Sequence, residues 1–239
     1  MHHNSQPQFF IYPKTNYLYR NTPVNKLEIP YIKTSDFTTA DELVLAVQQL
    51  QRMPISYIPW PEFKSDAKAN FVIAHNTDAI ILWYQIEERY LIANELNNGN
   101  IHNDSCVEFF IAFDDDKAYY NLEFNCLGAT KIGYGKRRSG RELLPAEVIG
   151  KISFSSRINS KLGKKQEGFD WEIVLIIPKE IFIHHTISSF NLLKAKGNFY
   201  KCGDGLPEPH FLTWNMVTGT KPNFHKTDCF GALEFAPGS

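Results

Sequence analysis

The stretch CVEFFIAF, residues 106–113, is followed after Asp114–Lys117 by AYYNLEFN, residues 118–125. This spacing predicts an antiparallel hairpin with a four-residue loop. Pairing back from the loop sets Phe113 opposite Ala118, Phe109 opposite Leu122 and Glu108 opposite Glu123. One face then carries Val107, Phe109, Ile111 and Phe113 against Ala118, Tyr120, Leu122 and Phe124. That face is apolar throughout and belongs to a core. The other carries Cys106, Glu108, Phe110 and Ala112 against Asn125, Glu123, Asn121 and Tyr119. A slip of one residue would mix the two faces, so the pattern fixes the register. Like charges directly opposite each other destabilise a sheet. Glu108 and Glu123 therefore need a basic side chain, a metal ion or a shared proton with one raised pKa. Alternatively both point into water, where their repulsion is screened. Lys201, in NFYKCGD, is the candidate cation.

The rest of the chain extends the same logic. ANFVIAHN, IILWYQIEE, ATKIGYG, VIGKISFSSRI, WEIVLIIP, GNFYKCG, HFLTW and FGALEF are short apolar runs bounded by turn residues, and ISYIPW is similar. Each reads as a strand. Helical signals are few. TTADELVLAVQQLQR starts with a capping box, Thr39 and Glu42, and places Leu43, Val47 and Leu50 on one face. A second short helix is expected at 178–182, with Pro178 leading it. Many strands without a βαβ rhythm predict a mainly β fold, an antiparallel β-sandwich with one or two short helices. One domain over residues 27–239, preceded by an extended arm over residues 1–26, is the simplest division.

A net charge of -1 argues against general affinity for nucleic acid or acidic membranes. No apolar run reaches the roughly 20 residues that span a bilayer. The start, MHHNSQPQFF, lacks the basic and apolar stretches of a signal peptide. Cys106, Cys126, Cys202 and Cys229 form no C-x-x-C pair and read as buried thiols. Both features lean towards a cytoplasmic protein. A leader removed upstream would instead place it in the periplasm or outside the cell.

Tyr119, Asn121 and Asn125 share a face with the two glutamates. Amides, a phenol and carboxylates together supply the donors and acceptors that sugar hydroxyls require. NDSCVEFFIAF, YYNLEFNCLG and FHKTDCFGALEF resemble carbohydrate-binding module family 9, most closely its single-domain bacterial branch. GYGKRRSGRELLP, NFYKCGDGLPEPHFLTWN and IPWPEF match too, so the similarity runs from about Lys26 to Phe235. The resemblance implies a sandwich related to immunoglobulin-like and jelly-roll architectures. It also implies sugar binding without catalysis, in carbohydrate catabolism. Family 9 modules grip terminal sugar units between two tryptophans, are usually attached to plant-polysaccharide hydrolases such as xylanases, and in some cases hold structural calcium. The two tryptophan positions fall on His102 and Phe224, and the polar positions on Glu108, Lys201 and Asp204. A family arginine falls on Glu123, which inverts its charge.

The expected ligand site is therefore His102 and Phe224 flanking a sugar, Glu108, Lys201 and Asp204 on its hydroxyls, and Asn121, Glu123 and Asn125 completing a polar floor. Binding of this kind requires no cofactor. Asp114–Asp116 offer oxygen ligands for calcium but lack EF-hand spacing, and a solvated turn is the simpler reading. GYGKRRSGR reads most simply as an ordinary exposed loop, and alternatively as a rim loop whose Arg137, Arg138 or Arg141 meets an acidic sugar or phosphate. Trp60 and Trp214 lie near strand ends within reach of such a site, whereas Trp83 and Trp171 read as core. Two rivals stay open. A glycoside hydrolase would use Glu108 and Glu123 as its two acids. A protein-interaction sandwich would have lost sugar binding through the altered clamp positions.

Overall fold

Period-two alternation builds thirteen strands among the described residues, which in this computed structural model are 25–33, 40–113, 117–161, 163 and 167–238. They are β1 (Lys26–Ile29), β2 (Met53–Ile55), β3 (Lys68–His75), β4 (Ala79–Glu88), β5 (Cys106–Phe113), β6 (Tyr119–Asn125) and β7 (Thr130–Gly135). Then follow β8 (Glu142–Leu143), β9 (Ser153–Lys161), β10 (Gly168–Pro178), β11 (Lys194–Cys202), β12 (Phe211–Thr213) and β13 (Gly231–Phe235). One sheet runs β1-β13-β11-β5-β6-β7-β8, with β12 paired to β11, and the other runs β2-β3-β4-β10-β9. Neighbours are antiparallel except β1, which lies parallel to β13. The fold is thus a mainly β sandwich.

The predicted hairpin register holds. Glu108 faces Glu123, Phe109 faces Leu122 and Val107 faces Phe124. Val107, Phe109, Ile111, Phe113, Tyr120, Leu122 and Phe124 enter one core shared with the second sheet. At its centre Phe199 stacks between Phe71 and Phe109, with ring centroids 3.8 and 4.7 Å away. Truncating a buried Phe of this kind costs about 3–5 kcal/mol. Trp214 meets the rings of Phe71 and Phe199 edge-on, so it belongs to this core. Tyr84 of β4 donates to the Glu108 carbonyl at 2.8 Å, crossing between the sheets.

Helix α1 (Ala40–Val47) covers the outside of the second sheet. Its Leu43 and Val47 pack on Val72, Ala74, Ile81, Trp83 and Val174. Thr39 of the expected capping box lies outside the described residues, as do residues 1–24 of the expected arm. The expected helix at 178–182 shrinks to one 3-10 turn, Lys179–Ile181. Pro178 still belongs to β10, and Ile181 and Phe182 are already buried in the core. A four-residue helix α2 (Ala146–Ile149) follows β8. Of ISYIPW only Ile55 lies in a strand, while Tyr57 makes a single bridge to Thr213. All four cysteines are buried and free. Among the described residues no helix is long and apolar enough to cross a membrane.

The outer face of the first sheet departs from expectation. It is not an open polar surface. Cys106, Phe110, Ala112 and Tyr119 form a second apolar cluster with Trp60, Tyr200, Phe211, Val217, Phe224 and Phe230. Residues 214–230 fold over this face and supply Val217, Phe224, Cys229 and Phe230. The polar residues are confined to the floor of a cavity beside that cluster.

Candidate functional site

Strand register builds the floor. Glu108, Glu123 and Lys131 align across β5, β6 and β7. Phe110, Asn121, Gly133 and Leu143 form the next row, reaching β8. A cavity of about 360 Å³ opens above these rows. Ligand pockets typically hold about 300–1,000 Å³. His102 enters from the 3-10 turn Ile101–Asn103 before β5, and Asp204 from the turn after β11. The Asp204 N–H donates to the His102 carbonyl at 2.9 Å, which holds the two turns together. Phe224 and His225 come from the segment before β13, and Arg138 and Arg141 from the β7–β8 connection.

The paired glutamates are buried, with Glu108 4% and Glu123 6% exposed. Water screening is therefore excluded as their compensation. Glu108 Oε1 accepts from the Cys202 thiol at 3.1 Å. Burial, then the Glu123 charge, pushes the Glu108 pKa well above the carboxylate range. Glu108 therefore holds its proton more tightly than a free carboxyl does. Glu123 Oε1 accepts from Asn121 Nδ2 at 2.7 Å. Its buried Oε2 has no hydrogen-bond partner among the described residues, and His102 Nδ1 stands 3.7 Å away. The Glu123 carboxylate raises the His102 pKa, partly opposed by burial. Burial raises that of Asp204.

Arg141 fixes the far side of the floor. Its Nε donates to Asn121 Oδ1 at 2.6 Å, and its guanidinium lies 4.3 Å from the Tyr119 ring. Gly133 makes room for it. A Cβ there would stand 2.8 Å from Asn121 Oδ1 and 3.1 Å from Arg141 Nε. Asn121 is thereby oriented, with its NH2 towards Glu123 and its oxygen towards Arg141.

Six of the eight expected site residues line this cavity: His102, Glu108, Asn121, Glu123, Asp204 and Phe224. Two do not. Lys201 pairs with Val107, so its side chain enters the space between the sheets. Its Nζ lies 2.9 Å from Glu88 Oε2 and 3.0 Å from His210 Nε2, and it is fully buried. The expected cation over the glutamates is therefore committed elsewhere. Asn125 sits at the end of β6, where its oxygen accepts from the N–H groups of Leu127 and Ala129. Its amide nitrogen donates to Asp104 Oδ2 at 2.9 Å, so it shapes turns instead of the floor.

Phe224 is stacked on Tyr200 with centroids 4.2 Å apart and has Trp60 behind it at 6.0 Å. Trp60 thus buttresses the wall without lining it. Lys131 and His225 also line the cavity and were not among the expected ligand-binding residues. Applying the hairpin logic across the turn at Gly128 would have set Lys131 opposite Glu123. His225 had no such signal. Burial and the nearby arginines lower its pKa to about 3, and its Nδ1 shares a hydrogen bond with the Tyr119 hydroxyl at 2.8 Å.

Cys106, Glu108 and Cys202 are the one group of three potential metal ligands among the described residues. Burial pushes the Cys106 thiol up to about 11 and raises that of Cys202 as well, so these are not ready thiolate ligands. Asp114–Asp116 lie outside the described residues. A larger concavity, about 430 Å³, lies at the end of the second sheet. Its charges satisfy one another, with Lys68 and Lys161 on Glu87 and Arg89 on Glu208. It offers a ligand few unpaired groups.

The sequence profile of carbohydrate-binding family 9 matches residues 39–235. Among solved structures, a Bacteroides uniformis protein to which carbohydrate binding has been ascribed is 31% identical, with a TM-score of 0.80. The match covers 88% of this chain and 98% of that one. A family 9 module from Caldicellulosiruptor kristjanssonii, solved with glucose, is 12% identical with a TM-score of 0.56, over 90% and 97% of the two chains. The module from that organism solved with cellotriose gives 11% and 0.54, over 90% and 95%. These last two likenesses concern the fold. Among curated proteins none gives a significant match.

Proposed function

The chain belongs to carbohydrate-binding family 9, and we propose that its cavity above β5, β6 and β7 binds a mono- or oligosaccharide without cleaving it. The observation that carries this reading is the floor itself. An unsatisfied carboxylate oxygen on Glu123, the Glu108 carboxyl and the Asp204 carboxylate converge beside the aromatic wall of Phe224. Sugar hydroxyls need such acceptors and donors, and the C–H face of a sugar ring packs on an aromatic. The Caldicellulosiruptor module was solved with glucose and with cellotriose, which gives the first ligands to test.

Hydrolysis fits the arrangement poorly. The two acids of a glycosidase flank the scissile bond. Glu108 and Glu123 are neighbours on one sheet, so both lie on the same side of a sugar in the cavity. The proposed binding needs no cofactor, and chelation should leave it unchanged. A loss of affinity in EDTA would instead revive calcium at Asp114–Asp116.

Isothermal titration calorimetry with a panel of mono- and oligosaccharides tests the proposal. A ligand is expected at micromolar to millimolar affinity. Phe224→Ala and Glu123→Gln should each weaken it by roughly tenfold or more, which is about 1.4 kcal/mol. Absence of heat with every sugar at millimolar concentration defeats the reading. Release of reducing ends, lost in Glu108→Gln, would favour the hydrolase.

A further inference from the structure

Arg141 uses all its donors on neutral oxygens. Beyond Asn121, its Nη1 donates to the carbonyls of Gly135 and Arg137, and its Nη2 to those of Tyr119 and Gly133. The charge is thus held in place with no carboxylate bonded to it among the described residues. Two further cations stand beside it. Lys131 is directly opposite Glu123 in the sheet, yet among the described residues neither it nor Arg138 is in an ion pair. Glu123 gives Oε1 to Asn121 and turns Oε2 towards His102. Among the described residues Arg138 reaches only the Pro222 carbonyl, at 3.5 Å.

The cavity is therefore polarised across the strands. Asp204, His102 and Glu108 lie on its β11–β5 side, and Lys131, Arg138 and Arg141 on its β7–β8 side. β5 and β7 are two strand spacings apart, roughly 10 Å. Lys131 and Arg138 thus face the cavity with no carboxylate paired to them among the described residues. A neutral sugar would leave these two cations unpaired.

We propose that the ligand is an anionic sugar, with hydroxyls on Glu123, Asp204 and His102 and its anionic group against Lys131 and Arg138. This rests on the carbohydrate-binding reading above and narrows it. The anionic group is a carboxylate, as in a hexuronic acid, or a phosphate ester. Either one gains charge-assisted hydrogen bonds from free Lys and Arg donors. Arg141 has no free N–H to offer and contributes its fixed charge through the wall.

Calorimetry on the full chain decides, with glucuronate, galacturonate, glucose 6-phosphate and glucose titrated at low salt and in 0.5 M NaCl. At least one anionic sugar should bind roughly tenfold or more tightly than glucose. The gap should narrow in high salt through screening. Lys131→Ala and Arg138→Ala should each reduce the anion-to-glucose affinity ratio. The uronate and phosphate arms separate the two sources of charge. Glucose binding as tightly as every anionic sugar overturns the proposal and leaves carbohydrate binding standing. So does a preference untouched by both substitutions. If no sugar binds at millimolar concentration, both readings fall.

Discussion

Glu108 and Glu123 face each other out of reach of water, and a retained proton is what makes this tolerable. That has a definite pH signature. The folded pKa of Glu108 is raised above its ordinary 4.5, so the folded state holds the proton more tightly than the unfolded chain. The contribution is fully present below pH 4.5 and is lost as pH rises through the folded value. Glu108→Gln removes the dependence while keeping a hydrogen-bonding group of similar shape. Chemical denaturation should find the variant more stable than wild type by on the order of 1 kcal/mol above neutral pH, with the advantage vanishing below about pH 4. The opposition of the two glutamates was legible in the sequence because it depends on a local hairpin. The fate of Lys201 was not. Its side depends on pairing with Val107, which is 94 residues away, and no local pattern fixes that parity.

At the level of elements, Lys201 links β11 to β4 through Glu88 and so ties the two sheets inside the core. Trp171 Nε1 also donates to Glu88 Oε1. Removing one partner of a buried pair leaves the other charge uncompensated. Lys201→Met should therefore lose about 3–5 kcal/mol in urea melts, and Lys201→Met with Glu88→Leu should recover much of it. An additive or worse double variant would show that the pair is not coupled. The strands themselves were readable from alternation, as was the face of α1 on Leu43 and Val47. The covering of the outer face was not. Residues 214–226 have neither strand nor helix, so no periodicity announces where they dock. Six site residues were found because family likeness and strand register placed them. Lys131 needed one more turn of the same register, and the Arg141 anchorage needed the space left by Gly133.

For the whole molecule, two histidines with strongly lowered pKa values, buried His210 and half-buried His225, contribute to the acid limit. Burial, and after it the Lys201 charge, lowers the His210 pKa to about 4. Burial and the charges of Arg141 and Arg138 take His225 to about 3. Both lie below the unfolded value of 6.5, so the unfolded chain binds more protons. Their stability is present above pH 6.5 and is lost as pH falls towards 4 and then 3, on the order of 2 kcal/mol each. Thermal melts should fall over this window, and His210→Gln or His225→Gln should flatten the fall. A melting temperature that stays level from pH 6.5 to 4 would contradict this. His225 sits in the same irregular segment as Phe224, which both walls the cavity and caps the second apolar cluster. That segment can open without unzipping a sheet, so its amides should exchange with solvent faster than those of β5 or β6. A bound sugar would hold it shut. Occupancy should then be visible as slowed deuterium uptake around residues 219–226, even for a ligand too weak to give a clear heat.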